Sequence, residues 1–220
     1  MPKAAIFDLD GTLIDSVDLH ALAWHEAMVR FGHDVSFERA RSQIGKGGDK
    51  LIPEFLSADA QRDPGKELEE WRGNRFKTEY LPLVRPFSTV PDLLRRVRNA
   101  GLRIAIGSSA KKDELDKYLD IARIADLVDM TTSSEDAEQS KPAPDIFEIV
   151  LKKLGVEGGD AVAIGDTPYD AAAAGKAKIA TIGVLCGGFT EASLRQTGCV
   201  EVYPGPAALL ARFEDSLLAR

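Results

Sequence analysis

The sequence predicts an α/β protein with a parallel sheet, together with a small separate region made only of helices. After about residue 86, short apolar runs alternate with helical patterns, which favours βαβ units and parallel strands. Between residues 15 and 85 this alternation stops, because helical segments follow one another without a convincing strand. We therefore expect an α/β domain, residues 1–14 and 86–220, interrupted by an all-helical domain, residues 15–85.

The strands are predicted where short apolar runs end in glycine or polar turn residues. These runs are Lys3–Phe7, Arg103–Gly107, Leu127–Thr131, Ala161–Gly165 and Ile179–Val184, with a shorter candidate at Cys199–Tyr203. The helices between and after them are predicted at Pro91–Ala100, Asp113–Ala122, Pro144–Leu154, Tyr169–Ala174 and Pro206–Leu218. Gly101, Gly155 and Gly175 are expected to end helices, because glycine readily adopts the backbone conformation found just after a helix.

The helical insertion is predicted to contain four helices joined to the rest of the chain by two linkers. The helices are Val17–Phe31, Ser36–Ile44, Asp49–Leu56 and Pro64–Tyr80, and the linkers are Asp15–Ser16 and Leu81–Pro86. His20 and Trp24 share a face of the first helix. His20 either reaches a cleft or is a half-buried helix residue, whereas Trp24 is expected in the core. The Gly-rich stretch around Lys46 is either a loop that contacts an anionic or polyol substrate or a flexible solvent loop.

Two carboxylates, Asp8 and Asp10, directly follow the first predicted strand. Side chains two residues apart on an extended backbone face the same way, so these acids are expected close together. Folding alone gives no reason to crowd two acids, whereas a divalent cation or a covalent catalytic step does. The alternative is an acidic turn before a glycine, which is common in proteins.

Three further polar segments follow apolar runs or precede helices. Ser108 ends the second run beside a predicted helix N-terminus, where it is either part of an anion site or an N-cap. Lys141 is flanked by a stiff Pro-rich segment that would aim its charge at a phosphate, although most lysines are solvated. Asp166 and Asp170 are four residues apart, so one helical turn would bring them together; Asp170 could equally be a first-turn acid.

In order and spacing, these segments resemble the four signature motifs of the haloacid dehalogenase-like hydrolases. The motifs read Asp8-x-Asp10-Gly-Thr, Ser108, Lys141-Pro142 and Gly165-Asp166-x-x-x-Asp170. The resemblance spans nearly the whole chain and implies a doubly wound, Rossmann-like α/β core with its chemistry at the carboxyl ends of the central strands, consistent with the general rule for such sheets. It also implies that the helical insertion is a cap of the family's first type, a lid that excludes water.

The resemblance further implies a Mg²⁺-dependent phosphatase that works through an aspartyl-phosphate. Asp8 would be the nucleophile and Asp10 the general acid and base, while Ser108 and Lys141 would bind and neutralise the phosphoryl group. The implied metal ligands are Asp8, Asp166, the backbone carbonyl of Asp10, and Asp170 through water. Substrate contacts are predicted at Ser109, His20 and Lys46. The expected substrate is a small phosphate ester such as a sugar phosphate or a phosphoglycolate-like compound.

Three other interpretations compete with a phosphatase. A β-phosphoglucomutase-type isomerase shares a similar Asp15, His20 and Trp24 arrangement, but such enzymes often carry valine where this chain has Thr12. A dehalogenase is disfavoured because a leaving halide needs no proton, and so no second acid such as Asp10. A non-catalytic relative of the family should have lost a motif residue, and here every motif position is filled.

Composition limits the classes of partner. Residues are 44% hydrophobic and 29% charged, which is ordinary globular composition, and the net charge of −7 gives no basic surface for nucleic acid or acidic membranes. Cys186 and Cys199 lack metal-ligand spacing and are expected to be reduced. The chain starts at once with a strand and has no long apolar stretch, so we expect no signal peptide, no membrane helix and a cytoplasmic monomer.

Overall fold

The computed structural model describes residues 1–59, 61 and 63–220, so two positions of the predicted helical insertion, 60 and 62, lie outside the described residues. The chain divides into two compact units. Unit 1 comprises Met1–Asp15 and Arg85–Arg220, and unit 2 comprises Ser16–Val84. Within the described part of the chain, no helix is long and apolar enough to cross a bilayer.

Unit 1 is organised around a six-stranded sheet. In chain order the strands are β1 (Ala4–Phe7), β2 (Ile14–Asp15), β3 (Arg85–Pro86), β4 (Arg103–Gly107), β5 (Met130–Thr132), β6 (Ala161–Gly165), β7 (Ala180–Val184) and β8 (Cys199–Tyr203). The sheet order is β5-β4-β1-β6-β7-β8, and all neighbours in it are parallel. The predicted α/β fold class is therefore confirmed. The fifth strand is shorter than predicted, because Leu127 lies in a turn, with its N–H bonded to the carbonyl of Ile124.

The sheet is doubly wound about its first strand. The chain adds β4 and β5 on one side of β1 and then β6, β7 and β8 on the other. Where the winding direction reverses, the carboxyl ends of adjacent strands diverge into a crevice that commonly holds a ligand. In this sheet the carboxyl ends of β4, β1 and β6 meet at that point.

The segments predicted as linkers form a short antiparallel pair. Strand β2 bonds to β3, with Ile14 opposite Pro86 and Asp15 opposite Arg85. The segment that leaves unit 1 and the segment that returns to it are therefore adjacent and hydrogen-bonded.

The described residues of unit 2 form helices joined by turns and loops. Its helices are α1 (Val17–Arg30), α2 (Phe37–Arg41), α3 (Gly48–Leu51) and α4 (Asp63–Arg75), with 3₁₀ turns at Ile52–Glu54 and Leu81–Leu83 and a π-helical turn at Phe76–Tyr80. The last three predicted helices were too long, since α2 ends at Arg41, α3 passes into a 3₁₀ turn and α4 passes into the π turn. Buried Trp24, Met28, Leu51 and Leu68 belong to a common core, so the prediction for Trp24 is confirmed.

The remaining helices flank the sheet of unit 1. They are α5 (Val90–Asn99), α6 (Lys112–Ala122), α7 (Asp145–Leu154), α8 (Pro168–Lys176), α9 (Glu191–Gln196) and α10 (Pro206–Ala211). Gly155 caps α7 with a φ of 64°, as predicted. The prediction for Gly175 was wrong, because α8 runs through it to Lys176. The final helix is also shorter than predicted, and α9 was not predicted at all.

Candidate active site

The site lies at the carboxyl ends of the three central strands. Asp8 follows β1, Ser108 follows β4 and Asp166 follows β6. The strand register aligns Phe7 with both Ile106 and Ile164, so the residues just beyond these positions emerge at one edge of the sheet. The predicted motif residues from distant parts of the sequence therefore converge through the pairing of these strands.

Lys141 is the centre of this cluster. It lies in the segment before α7, and only 1% of its surface is exposed. Its Nζ donates to Asp8 Oδ1 at 2.6 Å and to the carbonyl of Gly107 at 2.8 Å, and it lies 2.8 Å from Asp170 Oδ1. An ammonium so completely buried is stable only with such partners. The structure thus shows a fixed cation beside the predicted nucleophile.

Three buried carboxylates lie close together in the site, and two of them, Asp8 and Asp170, pair with Lys141. One oxygen from each of Asp8, Asp166 and Asp170 lies within 4.8 Å of the others. Asp170 Oδ2 accepts hydrogen bonds from the backbone N–H and hydroxyl of Thr167, the N-cap of α8, so the two residues form a capping box while the other oxygen of Asp170 faces Lys141. The two interpretations of Asp170, as a first-turn acid and as a site residue, are therefore compatible in the same geometry.

Only one of the two carboxylate oxygens of Asp166 is hydrogen-bonded to a residue that the structure describes. Its Oδ1 accepts a hydrogen bond of 3.0 Å from Thr12 Oγ1. Its Oδ2 is buried and has no hydrogen-bond partner among the described residues. A buried carboxylate oxygen without a hydrogen-bond partner costs free energy, and a bound cation would remove that cost.

The charges of the site shift the pKa values of its groups. Burial, together with the charges of Asp170 and Asp10, raises the pKa of Asp8 to about 7 against the attraction of Lys141. Burial and the charges of Asp170 and Asp8 place the pKa of Asp166 well above its usual range. Burial opposes the charge of Lys141, but Asp170 and Asp8 outweigh it and raise the lysine pKa. The single positive charge of Lys141 is therefore not enough to neutralise the three clustered carboxylates.

A hard divalent cation fits this arrangement. Oxygen ligands, excess negative charge and the unpartnered Oδ2 of Asp166 are what Mg²⁺ requires of a protein site. Asp8, Asp166 and Asp170 are the carboxylates that would hold it.

The serines after β4 have distinct environments. Ser108 is fully buried, and its Oγ accepts a hydrogen bond of 3.0 Å from the N–H of Ala110. It is not an N-cap, because α6 begins at Lys112 and its cap position is Lys111. Ser109 Oγ is buried with no hydrogen-bond partner in the described part of the chain. Asp10 is half-buried on the loop between β1 and β2.

The two predicted substrate residues of unit 2 are engaged within that unit. His20 is buried, stacks on Phe76 with ring centroids 4.0 Å apart, and contacts the guanidinium of Arg72 through Nδ1. Lys46 Nζ bonds to Gln43 at 2.6 Å and to Glu54 at 2.7 Å. Their roles toward a substrate stay predictions.

Several residues that shape the site were not predicted as part of it. Thr12 orients Asp166, and the backbone of Gly187 packs directly against the same carboxylate. The Cys186 thiol donates to the carbonyl of Gly11 at 3.0 Å, and burial raises its pKa to about 12, so it remains protonated. Both cysteines are free thiols. The Asp-x-Asp-Gly-Thr motif contained Thr12, but nothing local in the sequence marked residues 186 and 187.

Comparison with known proteins adds independent evidence. Residues 5–184 match the family model described as haloacid dehalogenase-like hydrolase. A phosphoglycolate phosphatase of Aquifex aeolicus is 28% identical over 84% of this chain and 85% of its own length. The plasmid protein CbbY of Cupriavidus necator is 30% identical over 82% of this chain and 77% of its own. A hydrolase from Pseudomonas syringae superposes with a TM-score of 0.89 at 26% identity, over 98% of this chain and 99% of that one.

Proposed function

The chain belongs to the haloacid dehalogenase-like hydrolase family and is a phosphatase, and from this premise we propose that it hydrolyses small phosphate monoesters through a phosphorylated Asp8 with Mg²⁺ as cofactor. The observation that carries the proposal is the buried cluster of Lys141 with Asp8, Asp166 and Asp170. Phosphoglycolate is the first substrate to test, because relatives at 28% identity bear the name phosphoglycolate phosphatase.

The proposed reaction has two displacements at phosphorus. A carboxylate oxygen of Asp8 forms a bond to phosphorus as the ester P–O bond breaks, and the electron pair leaves with the alkoxide oxygen. Asp10 gives that oxygen its proton, so the alcohol departs. Water then attacks the phosphorus of aspartyl-phosphate while Asp10 takes up its proton, and the Asp8–phosphate bond breaks to release inorganic phosphate.

The other residues of the site stabilise charge. Lys141 offsets the negative charge of Asp8 and of the phosphoryl oxygens from a position that is fixed before substrate arrives. Ser108 and Ser109 are the proposed hydrogen-bond donors to those oxygens. When bound to Asp8, Asp166 and Asp170, and to the carbonyl of Asp10, Mg²⁺ would supply further charge neutralisation. We also propose that unit 1 is the catalytic core and unit 2, with His20 and Lys46, the substrate-selecting cap.

A panel of small phosphomonoesters with Mg²⁺ tests the proposal. We expect phosphate release that is abolished by EDTA and lost in Asp8→Asn. Asp160→Asn is the matched control, since Asp160 pairs with Lys3 at the surface and should leave turnover unchanged. Near-native turnover in Asp8→Asn would refute the proposed nucleophile. Isomerised sugar phosphate from β-glucose 1-phosphate with a bisphosphate primer, without phosphate release, would replace hydrolysis by mutase chemistry.

A further inference from the structure

We propose that Gly187 is a positioning residue for the metal site, because the lack of a side chain there lets the turn after β7 hold the Asp166 carboxylate in its ligating orientation. This inference rests on the proposed function in one respect, that Asp166 is a Mg²⁺ ligand.

The approach of the two residues leaves no room for a methyl group. A β carbon placed on Gly187 would lie 2.7 Å from the β carbon of Asp166 and closer still to its carboxylate. Carbon atoms in favourable contact lie about 3.5–4.0 Å apart. Rotation of the Asp166 side chain would not relieve this overlap, because its β carbon is fixed by the backbone after β6. Either the turn or Asp166 would have to move.

Thr12 confines the same carboxylate through a second contact. Its hydroxyl donates to Asp166 Oδ1, while Oδ2 stays buried without a hydrogen-bond partner in the described residues. Packing against Gly187 and bonding to Thr12 together define the carboxylate orientation. Oδ2 is the carboxylate atom nearest to a β carbon placed on Gly187, and it is also the oxygen that no hydrogen bond from a described residue occupies and that is therefore available to a cation.

The turn that contains Gly187 is anchored to the sheet and to the loop between β1 and β2. The N–H of Gly188 donates to the carbonyl of Leu185 at 2.9 Å, and the N–H of Leu185 donates to Tyr203 in β8 at 3.0 Å. The Cys186 thiol donates to the carbonyl of Gly11, next to Asp10. Gly187 is therefore presented to Asp166 by a fixed backbone.

The test compares Mg²⁺ affinity with stability. Gly187→Ala should weaken Mg²⁺ binding by about 10- to 100-fold, the range for groups that orient metal ligands, as measured by isothermal titration calorimetry on the full chain. Gly175→Ala is the control, because a β carbon there meets nothing within 4 Å, and it should keep wild-type affinity. A Gly187→Ala protein with a lower metal-free melting temperature but unchanged Mg²⁺ affinity would overturn the inference and leave only a structural role.

Two further variants separate the possible failures. Cys186→Ala removes the anchor to Gly11 without adding atoms and should weaken Mg²⁺ binding even if Gly187→Ala does not fold; unchanged affinity in the folded Cys186→Ala protein would then overturn the inference. In an Asp166→Gly background, which removes the β carbon as well as the carboxylate, Gly187→Ala should have no additional effect on Mg²⁺ affinity, whereas an additive loss would contradict action through Asp166. A wild-type protein that does not bind Mg²⁺ would instead overturn the proposed cofactor, and this inference with it.

Discussion

Replacement of Lys141 by methionine should destabilise the metal-free protein far more than loss of a surface lysine. Methionine keeps much of the apolar stem but removes the ammonium, so Asp8 and Asp170 lose the cation that lies 2.6 and 2.8 Å from them. The lysine and both acids are almost completely buried. Removal of one member of a buried ion pair costs about 3–5 kcal/mol. In a protein of this size that corresponds to a melting temperature lower by about 6–20 °C.

Lys153→Met is the matched control. Lys153 also pairs with an aspartate, Asp136, at 2.9 Å, but the two side chains are 40% and 34% exposed. Exposed pairs contribute about 0.2–1 kcal/mol, so burial and not distance should separate the two variants. Thermal and denaturant unfolding in EDTA would measure both. Equal losses of unfolding free energy in the two variants, or a loss below about 1 kcal/mol for Lys141→Met, would refute the claim that burial makes the Lys141 ion pairs important for stability.

Three further predictions follow from specific contacts. In the metal-free folded protein the pKa of Asp8 is about 7, above the ordinary aspartate value of 3.8 that applies to the unfolded chain. Between these two pH values the folded state holds a proton on Asp8 that the unfolded state has lost, so the free energy of unfolding falls as pH rises toward 7. If Asp8 is a Mg²⁺ ligand as proposed, bound Mg²⁺ would displace that proton. The increase in melting temperature on adding Mg²⁺ should then be larger near pH 8 than near pH 5.5, and an increase independent of pH would contradict this. Gly107→Ala should cost about 1–3 kcal/mol in denaturant unfolding, since its β carbon would lie 2.9 Å from Ile146; a neutral effect would argue against this packing. Trp24→Ala should cost about 3–5 kcal/mol through loss of buried core in unit 2, and near-wild-type unfolding would show the side chain to be dispensable.

The sheet could be predicted closely because its signal is local. The runs Arg103–Gly107, Ala161–Gly165 and Cys199–Tyr203 consist of apolar and β-branched residues apart from Arg103 and Glu201, and the observed strands have these bounds. The β2–β3 pair could not be found in this way. Its strands are two residues long and lie about 70 residues apart, so pairing rather than propensity creates them.

In the candidate site, too, the residues in local motifs could be predicted, whereas the contacts between distant residues could not. Asp8, Lys141, Asp166 and Asp170 stand in motifs whose order resembles a family, and the parallel register then brings them together. The contacts that refine the site join residues far apart in sequence, as Thr12 does with Asp166 across 154 positions. No periodicity encodes such contacts. Gly187 in particular looks like any turn glycine until the position of Asp166 is known.

The central claim is covalent catalysis by Asp8. The most direct measurement is mass spectrometry of protein that is quenched in acid during turnover with Mg²⁺. The substrate would be phosphoglycolate, or whichever phosphomonoester proves to be hydrolysed. Borohydride treatment of the quenched protein would convert an aspartyl-phosphate into a stable reduced residue. We predict modification of the peptide that contains Asp8, at that residue, and its loss when substrate is omitted. Robust turnover with an unmodified Asp8, under conditions where a known aspartyl-phosphate is trapped, would contradict the mechanism.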